Sequence, residues 1–293
     1  MTRVLRWQGR AFCGVALATI LAGLMGFRLA ALTELLTAAA LLSLLGMPHG
    51  ALDVVFARKL FGIATLAGWA VFALFYLGLA AAVVGVWYFL PTPFLCLFLI
   101  ASALHFAGDP ALNTSMLVRC LYGGSVIVLP ALRHGPELER LLAQVAGDAS
   151  AAHVAPVLLQ LAAPWLVATL LGCAWLARSS WLAACEMAAL AALSVVATPL
   201  LSFTVYFCAM HSPRHILRTI SHLPVTEARN ALLGLLWPTL AVLAALAVGG
   251  WLLSSRPIQP AVMQLVFVGL AALTLPHMVL LERTRRVQSP TIR

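Results

Sequence analysis

The chain has 293 residues, of which 63% are hydrophobic and only 9% charged, with a mean hydropathy of +1.02. A water-soluble domain carries about 25% charged residues, so a globule facing water is excluded and the chain reads as a polytopic membrane protein. The formal net charge of +9 does not point to nucleic acid, because the basic residues are scattered over loop positions and form no run.

Crossing the hydrocarbon core takes about 20 apolar residues. On that ruler the sequence predicts an all-α bundle of about eight to ten spans, near 11–27, 30–48, 64–90, 93–108, 114–132, 155–177, 180–198, 200–220, 230–253 and 259–281. The short run 93–108 and the break at Thr198-Pro199 are the least span-like. The first run is read as a span and not as a cleaved leader, since it lacks a small-residue cleavage site and more spans follow. The polar insert 133–154 is expected to be a solvated loop or a short surface helix. No repeat or long linker divides the chain, so 1–293 is expected to be one integral-membrane domain. The six cysteines lie in apolar runs without CxxC spacing and read as packing residues.

Loop charge sets the orientation. With ten spans and the N-terminus in the cytoplasm, that side receives Arg3, Arg6, Arg10, Arg58, Lys59, Arg119, Arg178, Arg214, Arg218, Arg229, Arg283, Arg285, Arg286 and Arg293. The other side receives only Arg28, Arg133, Arg140 and Arg256, the asymmetry of the positive-inside rule. Both termini are therefore expected in the cytoplasm, and the protein in the inner (cytoplasmic) membrane.

Against that topology five histidines share one depth. His49, His105, the pair His211 and His215, and His277 all fall toward the cytoplasmic ends of four separate predicted spans. Histidine is costly at membrane depth and is kept there for a reason. The spacing His211-Ser-Pro-Arg-His215 puts two imidazoles one turn apart on a helix, with Pro213 loosening that geometry. The plain alternative is an interfacial pair meeting headgroups. His134, His153 and His222 fall in loops and read as solvated.

Asp53 follows His49 by four residues, and Asp109 follows His105 by four. On a helix each carboxylate would sit one turn from its imidazole and fix its tautomer, as carboxylates do for metal-bound histidine; the alternative is a capping role beside Gly and Pro. Arg214 is expected to face headgroups. Imidazole donors suit zinc, copper, iron or nickel, and the residues alone do not choose among them.

At these positions the chain resembles the Brp/Blh family, the bacterial and archaeal membrane beta-carotene dioxygenases. The matching motifs are Pro48-His49-Gly50 with Asp53, His105-Phe106 with Asp109, His211-Ser-Pro-Arg-His215 and Leu275-Pro276-His277. Each is weak alone; their order across nearly the whole chain is specific. The resemblance implies cleavage of the central 15,15' double bond of beta-carotene, or of a related carotenoid, with dioxygen to give two all-trans retinal. It also implies Fe(2+) held by His49, His105, His211 and His215. Asp53, Asp109 and His277 are then expected in the outer shell. The polyene is expected to reach the site from the lipid bilayer along an apolar tunnel, with Phe106, Phe203, Tyr206 and Phe207 as candidate lining. Of the rival readings, a two-iron desaturase or hydroxylase needs HxxHH clusters that the chain lacks, haem needs only one or two axial histidines, and a transporter more often shows repeats with helices broken at the midplane, of which the sequence has none. An opsin needs an intramembrane lysine, and Lys59 is loop-placed.

Overall fold

A computed structural model describes residues 3–111, 114–221 and 223–288. His222 and Arg293, read above as cytoplasmic loop and terminus, lie outside the described residues. Among the described residues there are helices and turns and no strand.

The order is α1 (Arg3–Leu24), α2 (Ala31–Leu41), a π-helical turn at Leu42–Gly46, a 3-10 turn at Met47–Leu52, α3 (Asp53–Phe61), α4 (Leu66–Phe89) and α5 (Pro91–Phe106). Then come α6 (Met116–Val128), α7 (Ala131–Ala146), α8 (Asp148–Ala177), α9 (Trp181–Val196) and α10 (Pro199–Tyr206). A second π-helical turn at Phe207–His211 leads into α11 (Ser212–Ile220), followed by α12 (Val225–Gly234), α13 (Leu236–Leu252) and α14 (Ile258–Gln288). The boundaries have local causes. Thr65, Ser115 and Ser180 cap α4, α6 and α9 by accepting from the backbone N–H three residues on. Pro91 and Pro199 open α5 and α10 where a missing N–H costs nothing. Gly62 ends α3 at φ +61°, a left-handed conformation that glycine adopts freely.

Every predicted apolar segment falls on helix, but the span count is lower than predicted. Among the described residues, six helical stretches are long and apolar enough to cross a bilayer, Arg3–Leu24, Ala31–Phe61, Leu66–Phe89, Asp148–Ala177, Thr226–Leu252 and Ile258–Thr284, or seven if α6 and α7, bent by 60°, make one broken span. Helices α5 and α9 have 16 residues each; at about 1.5 Å per residue they reach about 24 Å, short of the roughly 30 Å core. The predicted span 200–220 is interrupted by the second π turn. Hydropathy cannot tell a short buried helix from a lipid-facing one, which is why the prediction ran high.

The bundle has two apolar cores. One gathers Leu95, Leu142, Val154, Leu158 and Met263 from α5, α7, α8 and α14; the other gathers Phe12, Met187, Leu190, Tyr206 and Met210 from α1, α9, α10 and the second π turn. The polar insert 133–154 folds as most of α7 and the start of α8; in α7 Leu141, Leu142 and Val145 are buried while Arg133, Glu139 and Arg140 stay exposed. His134, expected to be solvated, is half-buried, with Nε2 3.3 Å from the Val196 carbonyl. Helices α4 and α13 have no buried residue. They flank α14, against which both pack, and present apolar side chains all round, as lipid-facing helices do.

Arg214 corrects its expectation. It is 2% exposed, and its Nη1 and Nη2 donate to Glu186 Oε2 and Oε1 at 2.8 and 2.7 Å while Nε donates to Gln8 Oε1 at 2.8 Å. The carboxylate of α9 meets the guanidinium of α11 because Gly9 of α1 has no side chain: a Cβ there would lie 1.8 Å from Glu186 Oε1. A buried arginine survives by taking a bidentate partner.

Candidate metal centre

His211 ends the second π turn, and His49 lies in the 3-10 turn that follows the first. Proline has no N–H, so Pro213 leaves the Ala209 carbonyl without its helical donor. The Gln8 amide Nε2 donates to that carbonyl at 2.8 Å, and the same Gln8 accepts from Arg214. This local widening re-aims His211 at the end of the turn, a known use of π-helical insertions. On the other turn, Ser212 Oγ donates to the Leu45 carbonyl at 2.7 Å, joining the two. Phe207 lies so close to Gly46 that a Cβ there would be 2.7 Å from the ring. That contact brings the His49 turn against the His211 turn.

Around this junction five imidazoles converge. Ring centroids are 4.6 Å apart for His105 and His211, 5.0 Å for His49 and His211, 5.7 Å for His49 and His215, and 6.3 Å for His49 and His105. His277 of α14 lies 5.2 Å from both His105 and His215 and 5.4 Å from His49. One ring nitrogen each of His49, His105 and His277 falls within 4.8 Å of the other two. The Nε2 atoms of His211, His215 and His277 are buried without a hydrogen-bond partner. Buried polar atoms are rarely left so.

The opposite ring nitrogens are tied down. His49 Nδ1 lies 2.5 Å from the Gly46 carbonyl, His211 Nδ1 3.1 Å from both Asp109 oxygens, and His277 Nδ1 2.6 Å from Asp53 Oδ1. A nitrogen that donates its proton outward leaves the other ring nitrogen as a lone-pair donor facing in. Each carboxylate is held in turn by a tyrosine: Tyr206 Oη donates to Asp109 Oδ2 at 2.5 Å and Tyr76 Oη to Asp53 Oδ2 at 2.9 Å. Two Tyr–Asp–His relays therefore reach the cluster, one ending at His277 and the other at His211. The loop after α5 that carries Asp109 is fixed by Arg218, which donates to the carbonyls of Gly108, Asp109 and Pro110, and by Arg119, which donates to that of Ala107. Asp109 thus accepts from Tyr206 Oη while both of its oxygens lie against His211 Nδ1.

The carboxylates do not take the partners that spacing predicted. His49 sits in a 3-10 turn, and α5 ends at Phe106, before Asp109. Neither pair lies on one continuous α-helical face, so the four-residue relation fails. Asp53 instead reaches His277 on α14, and Asp109 reaches His211.

A cavity of about 460 Å³ opens beside the cluster, with His49, Asp53 and His277 in its wall. Its other walls are α4 (Trp69, Phe72, Tyr76), α13 (Pro238, Val242) and α14 (Leu270, Leu273). Of the predicted tunnel aromatics, Phe106, Tyr206 and Phe207 are buried against His211, with centroids at 5.0, 6.3 and 5.1 Å. Phe203 stacks on Phe207 and lines a second cavity of about 90 Å³. Tyr76 and Glu186 escaped sequence reasoning. The available signal was a tyrosine and a glutamate within otherwise apolar stretches.

An inward-facing set of imidazole nitrogens, most with an outward acceptor, suits a borderline transition metal better than magnesium or calcium, which prefer oxygen. The model of a family described as beta-carotene 15,15'-dioxygenase matches residues 40–283. A beta-carotene 15,15'-dioxygenase of the uncultured marine bacterium 66A03 is 32% identical, the match covering 87% of this chain and 96% of that protein. A probable beta-carotene 15,15'-dioxygenase Blh of Halobacterium salinarum is 29% identical, covering 83% and 82% respectively. No solved structure matches the chain.

Proposed function

The chain belongs to the beta-carotene 15,15'-dioxygenase family, and from that premise we propose that it splits the central double bond of beta-carotene with dioxygen into two molecules of all-trans retinal. The double bond breaks and each of its carbons takes one oxygen atom, so the reaction balances without an external reductant. The observation that carries the reading is the convergence of five histidines from four chain segments, three of them with a buried, unpartnered Nε2.

Ferrous iron is the metal proposed for this cluster; when bound, it supplies the dioxygen activation that no side chain here provides. His49, His105, His211 and His215 would hold it. His277 brings an unpartnered Nε2 into the same cluster, so the proposal moves it from the outer shell to the ligands. Asp53 and Asp109 keep His277 and His211 in the tautomer whose Nε2 is free to bind. The Tyr76 and Tyr206 hydroxyls hold those carboxylates in place. The apolar walls exclude water from the bond being cut. The whole chain acts as one multi-pass membrane domain, with the histidine cluster toward the cytoplasmic leaflet and both termini in the cytoplasm of a cell whose inner membrane holds the protein. The arginine bias supports that orientation.

The test is expression in a bacterium engineered to accumulate beta-carotene, with pigments resolved by chromatography. The parent is expected to bleach the cells and form retinal. His49→Ala, His105→Ala, His211→Ala and His215→Ala are expected to leave the carotene intact. Chelation should abolish cleavage by purified protein, and Fe(2+) but not zinc should restore it. Intact beta-carotene beside a folded, iron-loaded parent would overturn the reading.

A further inference from the structure

The cavity beside the histidines has a direction. Trp69, Phe72, Ala73, Tyr76 and Leu77 line it from α4, at spacings of three, four, seven and eight that put them on one helix face. Trp69, Phe72 and Tyr76 form a continuous aromatic row, with centroids 5.9 Å and then 5.7 Å apart. The row ends at Asp53, to which Tyr76 donates. At the outer edge Ala73 and Leu77 are exposed, Leu77 by 62%, on a helix with no buried residue. Pro238, Thr239 and Val242 of α13, likewise without buried residues, form the facing wall. The cavity is therefore a cleft between two lipid-facing helices, floored by α14, with the metal-binding cluster at its inner end.

We propose that this cleft admits the substrate sideways from the bilayer and holds one half of the polyene, so that the bond to be cut rests at the histidine end; this deepens the functional reading above and depends on it. The volume of about 460 Å³ lies in the range of small-molecule pockets, about 300–1,000 Å³. The lining is hydrocarbon and aromatic, matched to a rigid unsaturated chain. Apart from the unpartnered His277 Nε2, polar groups of its inner wall are engaged: Tyr76 Oη and His277 Nδ1 on Asp53, and Thr274 Oγ1 on the Leu270 carbonyl. A lipid headgroup reaching these groups would have to displace those bonds, whereas an apolar chain asks for none.

Ala73→Trp and Val242→Trp narrow the cleft from opposite walls without touching a histidine or Asp53. The exposed Leu171→Trp on α8 is the control. Three quantities are read: binding of beta-carotene to metal-free protein by tryptophan-fluorescence quenching, iron content after loading, and KM against kcat for retinal formation in mixed micelles. Both narrowed variants should bind carotene about 10–100-fold more weakly and raise KM accordingly, with iron content at the parent's level and Leu171→Trp unchanged. Carotene binding and KM at the parent's value in both folded variants would overturn the cleft. Trp69→Ala, which widens the row, guards against misfolding of the tryptophan variants: a changed ratio of central to off-centre cleavage products supports the proposal, and unchanged products with unchanged carotene binding overturn it. A parent that binds carotene in this mutation-sensitive way yet never cleaves it would sink the functional reading and leave the cleft standing.

Discussion

Removing either partner of the Arg214–Glu186 pair should be among the most damaging single changes away from the histidines. The guanidinium is 2% exposed and makes both its Glu186 bonds at 2.7–2.8 Å, with Gln8 taking its Nε. Leaving one such charge buried and unpaired costs about 3–5 kcal/mol, or roughly 10²–10⁴ in the folded-to-unfolded ratio at about 1.4 kcal/mol per tenfold. Arg214→Met and Glu186→Met are therefore each expected to lose about 3–5 kcal/mol. The double variant replaces the pair by apolar side chains and should return to within about 1 kcal/mol of the parent. The assay is equilibrium unfolding in mixed micelles, run as a double-mutant cycle, with iron content measured in parallel. Because Arg214 lies between His211 and His215 and shares Gln8 with the carbonyl freed by Pro213, the double variant should recover stability while still loading less iron. Single losses under 1 kcal/mol, or a double loss equal to the sum of the singles, would refute the claim that the pair is coupled and buried.

Asp53→Asn and Asp109→Asn should each lower metal affinity about 10–100-fold, the usual cost of losing a carboxylate behind a ligating histidine. The effect of Asp53→Asn should vanish in a His277→Ala background and persist in a His49→Ala background, as read by metal titration; persistence in both would contradict the observed pairing. Gly123→Ala should cost about 1–3 kcal/mol in thermal unfolding, because its Cβ would lie 2.1 Å from the Ala103 carbonyl oxygen and 2.6 Å from the Ala107 nitrogen, backbone that also carries His105. Gly135→Ala meets nothing within 4 Å and should lose no stability.

The histidines were legible before the fold because they break a pattern. Ionisable side chains are few in a chain that is 63% hydrophobic, and the positive-inside rule places them along the membrane normal without any tertiary information. That is why His49, His105, His211, His215 and His277 could be gathered at one depth. Other features depend on contacts that no local pattern encodes. The pairing of Asp53 with His277 spans 224 residues and that of Asp109 with His211 spans 102. Spacing proposed the nearer histidines instead, because it assumed a continuous helix where the chain makes a 3-10 turn and a loop. Arg214 looked like a headgroup contact because its partner Glu186 is on another helix.

Composition by itself determined that the protein is helical and made for lipid, since a chain this apolar satisfies its backbone in a bilayer only by helices or a closed barrel, and its long, non-alternating apolar runs are helix-length. Residue type determined that a transition metal suits the site, since imidazole donors are chemically selective wherever they meet. The tertiary structure decided the rest. Whether an apolar helix faces lipid, as α4 does, or the core, as α5 does, depends on neighbours and not on its own apolarity. Where a carboxylate finds its histidine, and where a cleft opens between α4 and α13, depends on how helices distant in sequence are brought together. Local propensity and partitioning act within a segment; packing acts between segments, and only the folded chain brings those segments into contact.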